Sequence, residues 1–349
     1  METTIQSIQP LNQATAQAAR ERQDTLTKPP GSLGRLEALS IQLAGIAGRD
    51  IPSIEHKLIL IMAGDHGVVA EGVSAFPQEV TPQMVGNFLN GGAAINVLAK
   101  HVGARITIVD MGVAADISAF PSALVHKKVA PGTANMALGP AMTESQARLS
   151  IQAGIDVFEA ELKKGVDIVG LGDMGIGNTT ASAAIASAIT GIAPAKMAGR
   201  GTGVDDEGFR RKVAAIEKAL EVNQPDPSNG LDLLTKIGGF EIGGLAGVVL
   251  GAAAHQIPVV VDGFISTAAA MIAITIAPAA KPYLISAHRS QEFGHQQMLE
   301  WLELKPLVDL DFRLGEGTGA AIGISLAEAA CKILEDMATF AEAAVSNKE

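Results

Sequence analysis

The stretch Gly170-Leu-Gly-Asp-Met-Gly-Ile-Gly-Asn-Thr-Thr180 constrains this chain most. Before it runs Val166-Asp-Ile-Val169, short and β-branched, the pattern of a buried strand. After it runs Ala181-Ser-Ala-Ala-Ile-Ala-Ser-Ala-Ile189, which reads as a small-residue helix. The segment is therefore a glycine-rich turn from strand to helix. Glycines let the backbone reach positive φ and approach a ligand closely. A helix start offers unpaired N–H groups and partial positive charge, and Asn178, Thr179 and Thr180 add side-chain donors. The natural ligand is a phosphate. The Walker pattern is absent, since no Lys-Ser/Thr follows the last glycine. Met174 stands where the dinucleotide fingerprint needs its third glycine. A tight turn in which Thr179 or Thr180 merely caps the helix is the bland alternative.

Strands of this kind recur. Residues 57–62, 104–109, 166–169, 257–261, 283–286 and 307–312 read as strands, with helical patterns between them. Residues 113–142, with Pro121, Pro131 and Pro140, read as irregular. Thr143 and Gln146 form a capping box, and Gly165 ends the helix behind it. Such alternation predicts an α/β fold: a parallel, Rossmann-like sheet of about six strands flanked by helices. The first 50 residues carry only helical signal, at 11–27 and 33–47. The expected organisation is a helical segment over 1–50 belonging to a small domain, an α/β parallel-sheet domain over 51–312, and a catalytic turn with C-terminal helix over 313–349 packing with the small domain. In open parallel sheets ligands bind beyond the carboxyl ends of the strands. Asp65, His66, Asp110, Asn178, Asp262, Ser290 and Glu316 all follow predicted strands there.

Composition excludes other classes. The formal net charge is −11, which argues against a nucleic-acid surface. One cysteine, Cys331, rules out a disulfide framework or a cysteine metal site and suits a reducing compartment. The first residues, Met1-Glu-Thr-Thr-Ile-Gln, lack the features of a secretory leader, so the cytoplasm is expected. Residues 242–261 carry no Asp, Glu, Lys or Arg, and Gly243, Gly247 and Gly251 fall in GxxxG spacing. Pro258 and the switch to Val-Val-Val261 favour a helix followed by a buried strand over a membrane span.

Single residues remain open. Glu316, between Gly315 and Gly317, is either an acid favourable to a helix dipole or a general base that the backbone cannot shield. Asp65-His66 reads as a structural pair, because no further ligand follows at metal spacing. Arg210, Arg211 and Lys212 read as a solvated helix face unless a phosphate lies nearby. Asp205-Asp206 after Gly203 reads as a helix cap. Phe76 and Met84 read as core, although a loop Phe gains weight in a chain with 3% aromatics.

Assembled in order, Lys28-Pro-Pro-Gly-Ser-Leu-Gly34, Gly64-Asp-His-Gly67, Gly175-Ile-Gly-Asn-Thr-Thr180, Gly199-Arg-Gly-Thr-Gly203, Asp262-Gly-Phe264, His288-Arg-Ser290 and Arg313-Leu-Gly-Glu-Gly-Thr-Gly319 give a chain that resembles the nicotinate-nucleotide–dimethylbenzimidazole phosphoribosyltransferases over nearly its whole length. The resemblance implies transfer of phosphoribose from nicotinate mononucleotide to 5,6-dimethylbenzimidazole, in cobalamin assembly. It implies that Glu316 is the catalytic base. Gly175, Gly177, Asn178, Thr179, Thr180, Gly201, Gly203 and Lys212 match positions that bind the nucleotide, and Asp262 and Ser290 are counted with them. Phe76, Gln83, Met84 and Leu314 fall where the family lines its benzimidazole pocket, with Met174 beside them. Asp173 stands where many members carry Glu, so its carboxylate is one methylene shorter. A homodimer is implied, and no metal or cofactor is expected. The rival readings are a non-catalytic nucleotide-binding regulator, which needs no base at C1′, and a Mg-dependent phosphoribosyltransferase using pyrophosphate-activated ribose, for which Asp205-Asp206 is the candidate acidic pair.

Overall fold

The computed structural model describes residues 1–121, 123–201 and 203–346. Its centre is a six-stranded, all-parallel sheet in the order β3-β2-β1-β4-β5-β6. The strands are β1 (Lys57–Gly64), β2 (Arg105–Gly112), β3 (Leu124–His126), β4 (Ile168–Met174), β5 (Val259–Val261) and β6 (Leu284–Ser286). Along β1, Leu58, Leu60 and Met62 point into one apolar layer, while Ile59, Ile61 and Ala63 point into the other. A strand covered on both faces must be apolar at every position, which is why β1 reads as an unbroken hydrophobic run.

The helices are α1 (Glu2–Gln6), α2 (Gln13–Thr25), α3 (Arg35–Ala47), α4 (Val80–Leu89), α5 (Ala94–His101), α6 (Glu144–Leu162), α7 (Asn178–Thr190), α8 (Pro194–Met197), α9 (Asp206–Asn223), α10 (Gly230–Ile237), α11 (Phe240–Ala254), α12 (Phe264–Ile276), α13 (His295–Leu302) and α14 (Thr318–Asp336). Helices α6, α7, α10, α11 and α12 bury their apolar sides against one face. Helices α3, α4, α5 and α14 cover the other. Near the chain ends, Leu26 bridges Thr339 and the Thr27 N–H donates to the Ala338 carbonyl (3.0 Å). The segment mistakable for a membrane span is α11 plus β5, and no helix among the described residues is long and apolar enough to cross a membrane.

Three local expectations need correction. Residues 307–312 are not a strand. Val308 makes one isolated parallel bridge to His288, and Asp311 turns left-handed (φ 55°), which ends the extended run. The sixth strand is β3, inside the stretch read as irregular; at three residues it is too short to show periodicity. The glycine-rich turn also starts later than expected, because β4 continues through Gly170 and Gly172 to Met174. A Cβ on Gly172 would lie 2.7 Å from the Glu316 carbonyl, and one on Gly170 would lie 3.0 Å from the Ala320 Cβ. Those two glycines admit the start of α14 and not a ligand.

Candidate active site

Chain order reverses at β1, whose neighbours β2 and β4 lie on opposite sides. A crevice opens beyond the carboxyl ends of strands at such a switch point. A cavity of about 750 Å³ lies here, lined by residues following β4, β5 and β6, by the loop before α14, and by α4 and α5. Its polar wall holds Asn178, Thr179, Ser290 and Glu316; its apolar wall holds Phe76, Met84, Met174 and Leu314.

Glu316 is buried, at 7% exposure, and faces this cavity. It sits in a left-handed conformation (φ 64°) between Gly315 (φ 80°) and Gly317 (φ 86°). A non-glycine residue held there carries strain of order 1–3 kcal/mol, typical of positions fixed by function. The N–H groups at the α14 start do not serve Glu316. Gly317 (3.1 Å) and Ala320 (3.0 Å) donate to the Asp262 carboxylate instead. Burial therefore pushes the Glu316 carboxyl up to about 7. Asp262 is itself raised to about 7 by burial. Its oxygens are committed to the α14 backbone, so it fixes the turn that carries Glu316 and does not line the cavity. It was expected among the nucleotide-binding residues, and the structure places it behind the cavity wall.

The turn after β4 brings only part of the expected anion site to the cavity. Gly175 lines the cavity, and a Cβ there would fall 2.0 Å from the Gly64 carbonyl. Thr81 of α4 accepts the Ile176 N–H (3.1 Å). Asn178 and Thr179 face the cavity at the α7 start. Gly177 (φ 98°) does not; a Cβ there would press on Val69 and His66, so the glycine serves the turn. Thr180 points inward, fully buried. Gly201 lines the cavity and Gly203 lies beyond it, while Thr202 falls outside the described residues. Lys212 is no surface cation: it is 1% exposed, and its ammonium donates to Thr179 Oγ1 (2.8 Å) and the Gly199 carbonyl (3.2 Å). Burial lowers it to about 8, with Glu292 opposing. It braces the start of α7 from behind. Ser290 lines the cavity, its N–H held by His295 Nδ1 (2.8 Å). Burial drives His295 down to about 3, so it is a neutral acceptor. Gln83 points away, exposed on α4, because the cavity side of that helix is taken by Val80 and Met84.

Glu241 escaped sequence reasoning. Glu241 of α11 meets His66 Nε2 at 2.5 Å beneath the end of β1. Burial alone would lower His66, but Glu241 and Asp65 hold it above its ordinary range. Asp65 accepts the Ala114 N–H (2.8 Å), so the pair is structural, with a distant partner that spacing cannot reveal. Asp173 accepts from the Asn178 amide (3.0 Å); burial first, then Asp262, Glu241 and Glu316, push it well above the carboxylate range. Asp205 caps α9 through the Gly208 N–H (2.7 Å) and Asp206 pairs with Arg200, so this acidic pair is spent away from the cavity.

A family model described as phosphoribosyltransferase matches residues 8–345. The nicotinate-nucleotide–dimethylbenzimidazole phosphoribosyltransferase of Roseiflexus sp. strain RS-1 is 60% identical over 345 residues, spanning 99% of this chain and 98% of that protein. The enzyme of the same name from Chloroflexus aggregans is 58% identical, again across 99% and 98%. The crystal structure of the nicotinate-nucleotide–dimethylbenzimidazole phosphoribosyltransferase from Thermus thermophilus superimposes with a TM-score of 0.91 at 43% identity, covering 97% of this chain and all of that one.

Proposed function

Because this chain belongs to the nicotinate-nucleotide–dimethylbenzimidazole phosphoribosyltransferase family, we propose that it moves phosphoribose from nicotinate mononucleotide to 5,6-dimethylbenzimidazole, giving α-ribazole 5′-phosphate and nicotinate for cobalamin assembly. The observation that carries this reading is Glu316, a buried carboxylate facing an apolar cavity whose far side is the start of α7.

The chemistry follows from the charges. Nicotinate is bonded to C1′ as a pyridinium, so the C1′–N bond breaks with its electron pair neutralising that positive nitrogen, and nicotinate leaves with an uncharged ring. No general acid is needed, and one carboxylate suffices where glycoside hydrolysis uses two. The unprotonated nitrogen of the benzimidazole attacks from the opposite face, which inverts C1′ from β to α. Bond formation acidifies the other ring nitrogen, and Glu316 takes its proton. The carboxylate also favours an oxocarbenium-like transition state. A carboxyl near 7 is poised to be ionised before attack and basic enough to accept. Phe76, Met84, Met174 and Leu314 seat the flat base, while Gly175, Asn178 and Thr179 seat the phosphate end.

The direct test is product formation from nicotinate mononucleotide with a panel of benzimidazoles, purines and phenols. α-Ribazole phosphate with inverted C1′ is expected; no nucleoside product with any base overturns the reading. Since the leaving group needs no Lewis acid, turnover is expected to be unchanged in excess chelator. A metal-dependent rate favours a reaction using pyrophosphate-activated ribose.

A homodimer is part of this reading. Phe76 (50%) and Leu314 (57%) stay half exposed at the cavity, with Phe293 and Leu310 exposed in neighbouring segments, an apolar rim suited to a second copy. The free, buried thiol of Cys331 accords with the reducing cytoplasm.

A further inference from the structure

The described residues lining the cavity include three acids, Asp173, Glu292 and Glu316, and one permanent cation, Arg313. His288 also lines it, but burial lowers its pKa, so it is neutral. Lys212 stands behind Thr179 and Gly199, outside the lining. A substrate bearing a phosphate dianion therefore enters a space rich in carboxyl groups. Burial raises Asp173 well above its ordinary range and Glu316 to about 7, which lessens that repulsion without removing it. Neutral walls alone do not compensate a dianion stripped of water.

Arg313 Nη1 donates to the Gly201 carbonyl (3.2 Å), and the Gly201 N–H donates to Glu292 Oε1 (3.0 Å). Gly201 packs against the phosphate turn: a Cβ there would lie 2.9 Å from both Thr179 Oγ1 and Lys212 Nζ. The guanidinium is thus fastened beside Thr179, at the anion end of the cavity, with one of its five donors spent and no carboxylate partner among the described residues. Its planar fork matches two phosphate oxygens.

We propose that Arg313 is the cationic ligand of the substrate's 5′-phosphate, gripping it from inside the cavity while Lys212 braces the turn from behind. This rests on the reading that nicotinate mononucleotide is the donor. A phosphate grip made equally in ground and transition states appears in KM more than in kcat.

The test compares kcat/KM for nicotinate mononucleotide and for nicotinate riboside, which lacks the phosphate, in wild type, Arg313→Met, Arg313→Lys and Lys212→Met. Arg313→Met is expected to lower the nucleotide value by about tenfold or more, mainly through KM, and to leave the riboside value unchanged. Arg313→Lys is expected to recover part of the loss. Equal losses for both substrates overturn the proposal, because Arg313 then only holds the Gly201 loop. A preference that collapses in Lys212→Met but survives in Arg313→Met also overturns it. Calorimetric titration with ribose 5-phosphate separates the same outcomes for any inactive variant, since weakened binding is expected only where the phosphate ligand is lost. A wild type that makes no α-ribazole phosphate from the nucleotide is a separate failure, of the donor assignment.

Discussion

Glu316→Gln lowers turnover by at least about a hundredfold and leaves nucleotide binding nearly intact. Gln keeps the length of Glu and the Cβ held at positive φ, so the difference reads the proton and not the turn. With the wild-type carboxyl near 7, the rate should rise with pH through that region, and this acid limb should vanish in the variant. The same shift has a sign in stability. A native carboxyl raised from 4.5 to about 7 binds more protons than the unfolded chain between those values. Its contribution therefore turns destabilising as pH rises through that window and stays constant above it. Glu316→Gln should melt higher than wild type at pH 8, with the advantage disappearing below pH about 4.5. Near wild-type turnover at neutral pH would reduce Glu316 to a turn residue and move the base to Asp173, the other carboxyl beside it that lines the cavity.

Much of this was legible because the signals are local. Five of the six strands declare themselves by apolar runs that two covered faces require, and Thr143 with Gln146 marks the start of α6 as expected. Glu316 and the α7 start were visible as polar residues among glycines at strand ends. What stayed hidden depends on contacts far apart in sequence. Arg210, Arg211 and Lys212 look alike on paper, yet only Lys212 turns inward, to meet Thr179. Asp262 looks like a ligand, but the α14 N–H groups claim it. Gly170 and Gly172 look like part of a ligand loop, but they make room for α14. His66 found its partner in Glu241, 175 positions away.

The GxxxG spacing of α11 shows the same gap between pattern and partner, and it supports the largest stability effect expected in the chain. Small residues at that spacing let two helix backbones touch, a device common between membrane helices. Here the partner is α6. A Cβ on Gly154 of α6 would lie 1.9 Å from the Gly244 carbonyl, and one on Gly247 would lie 2.0 Å from the Ile151 carbonyl. Both obstacles are backbone, so no side chain can swing aside, and relief requires the helices to separate. Separation would open the apolar layer against β1 and β2 and shift Glu241, whose carboxylate holds His66 under the catalytic cavity. Gly154→Val is expected to cost more than about 4 kcal/mol, enough to leave little folded protein. Gly139, with nothing within 4 Å of an added Cβ and no positive φ, is the matched control; Gly139→Ala should stay within about 0.5 kcal/mol of wild type. Thermal melts of the two variants decide the matter. If Gly154→Val melted within a degree or two of wild type and kept its activity, the close crossing of α6 and α11 would not be what seats Glu241.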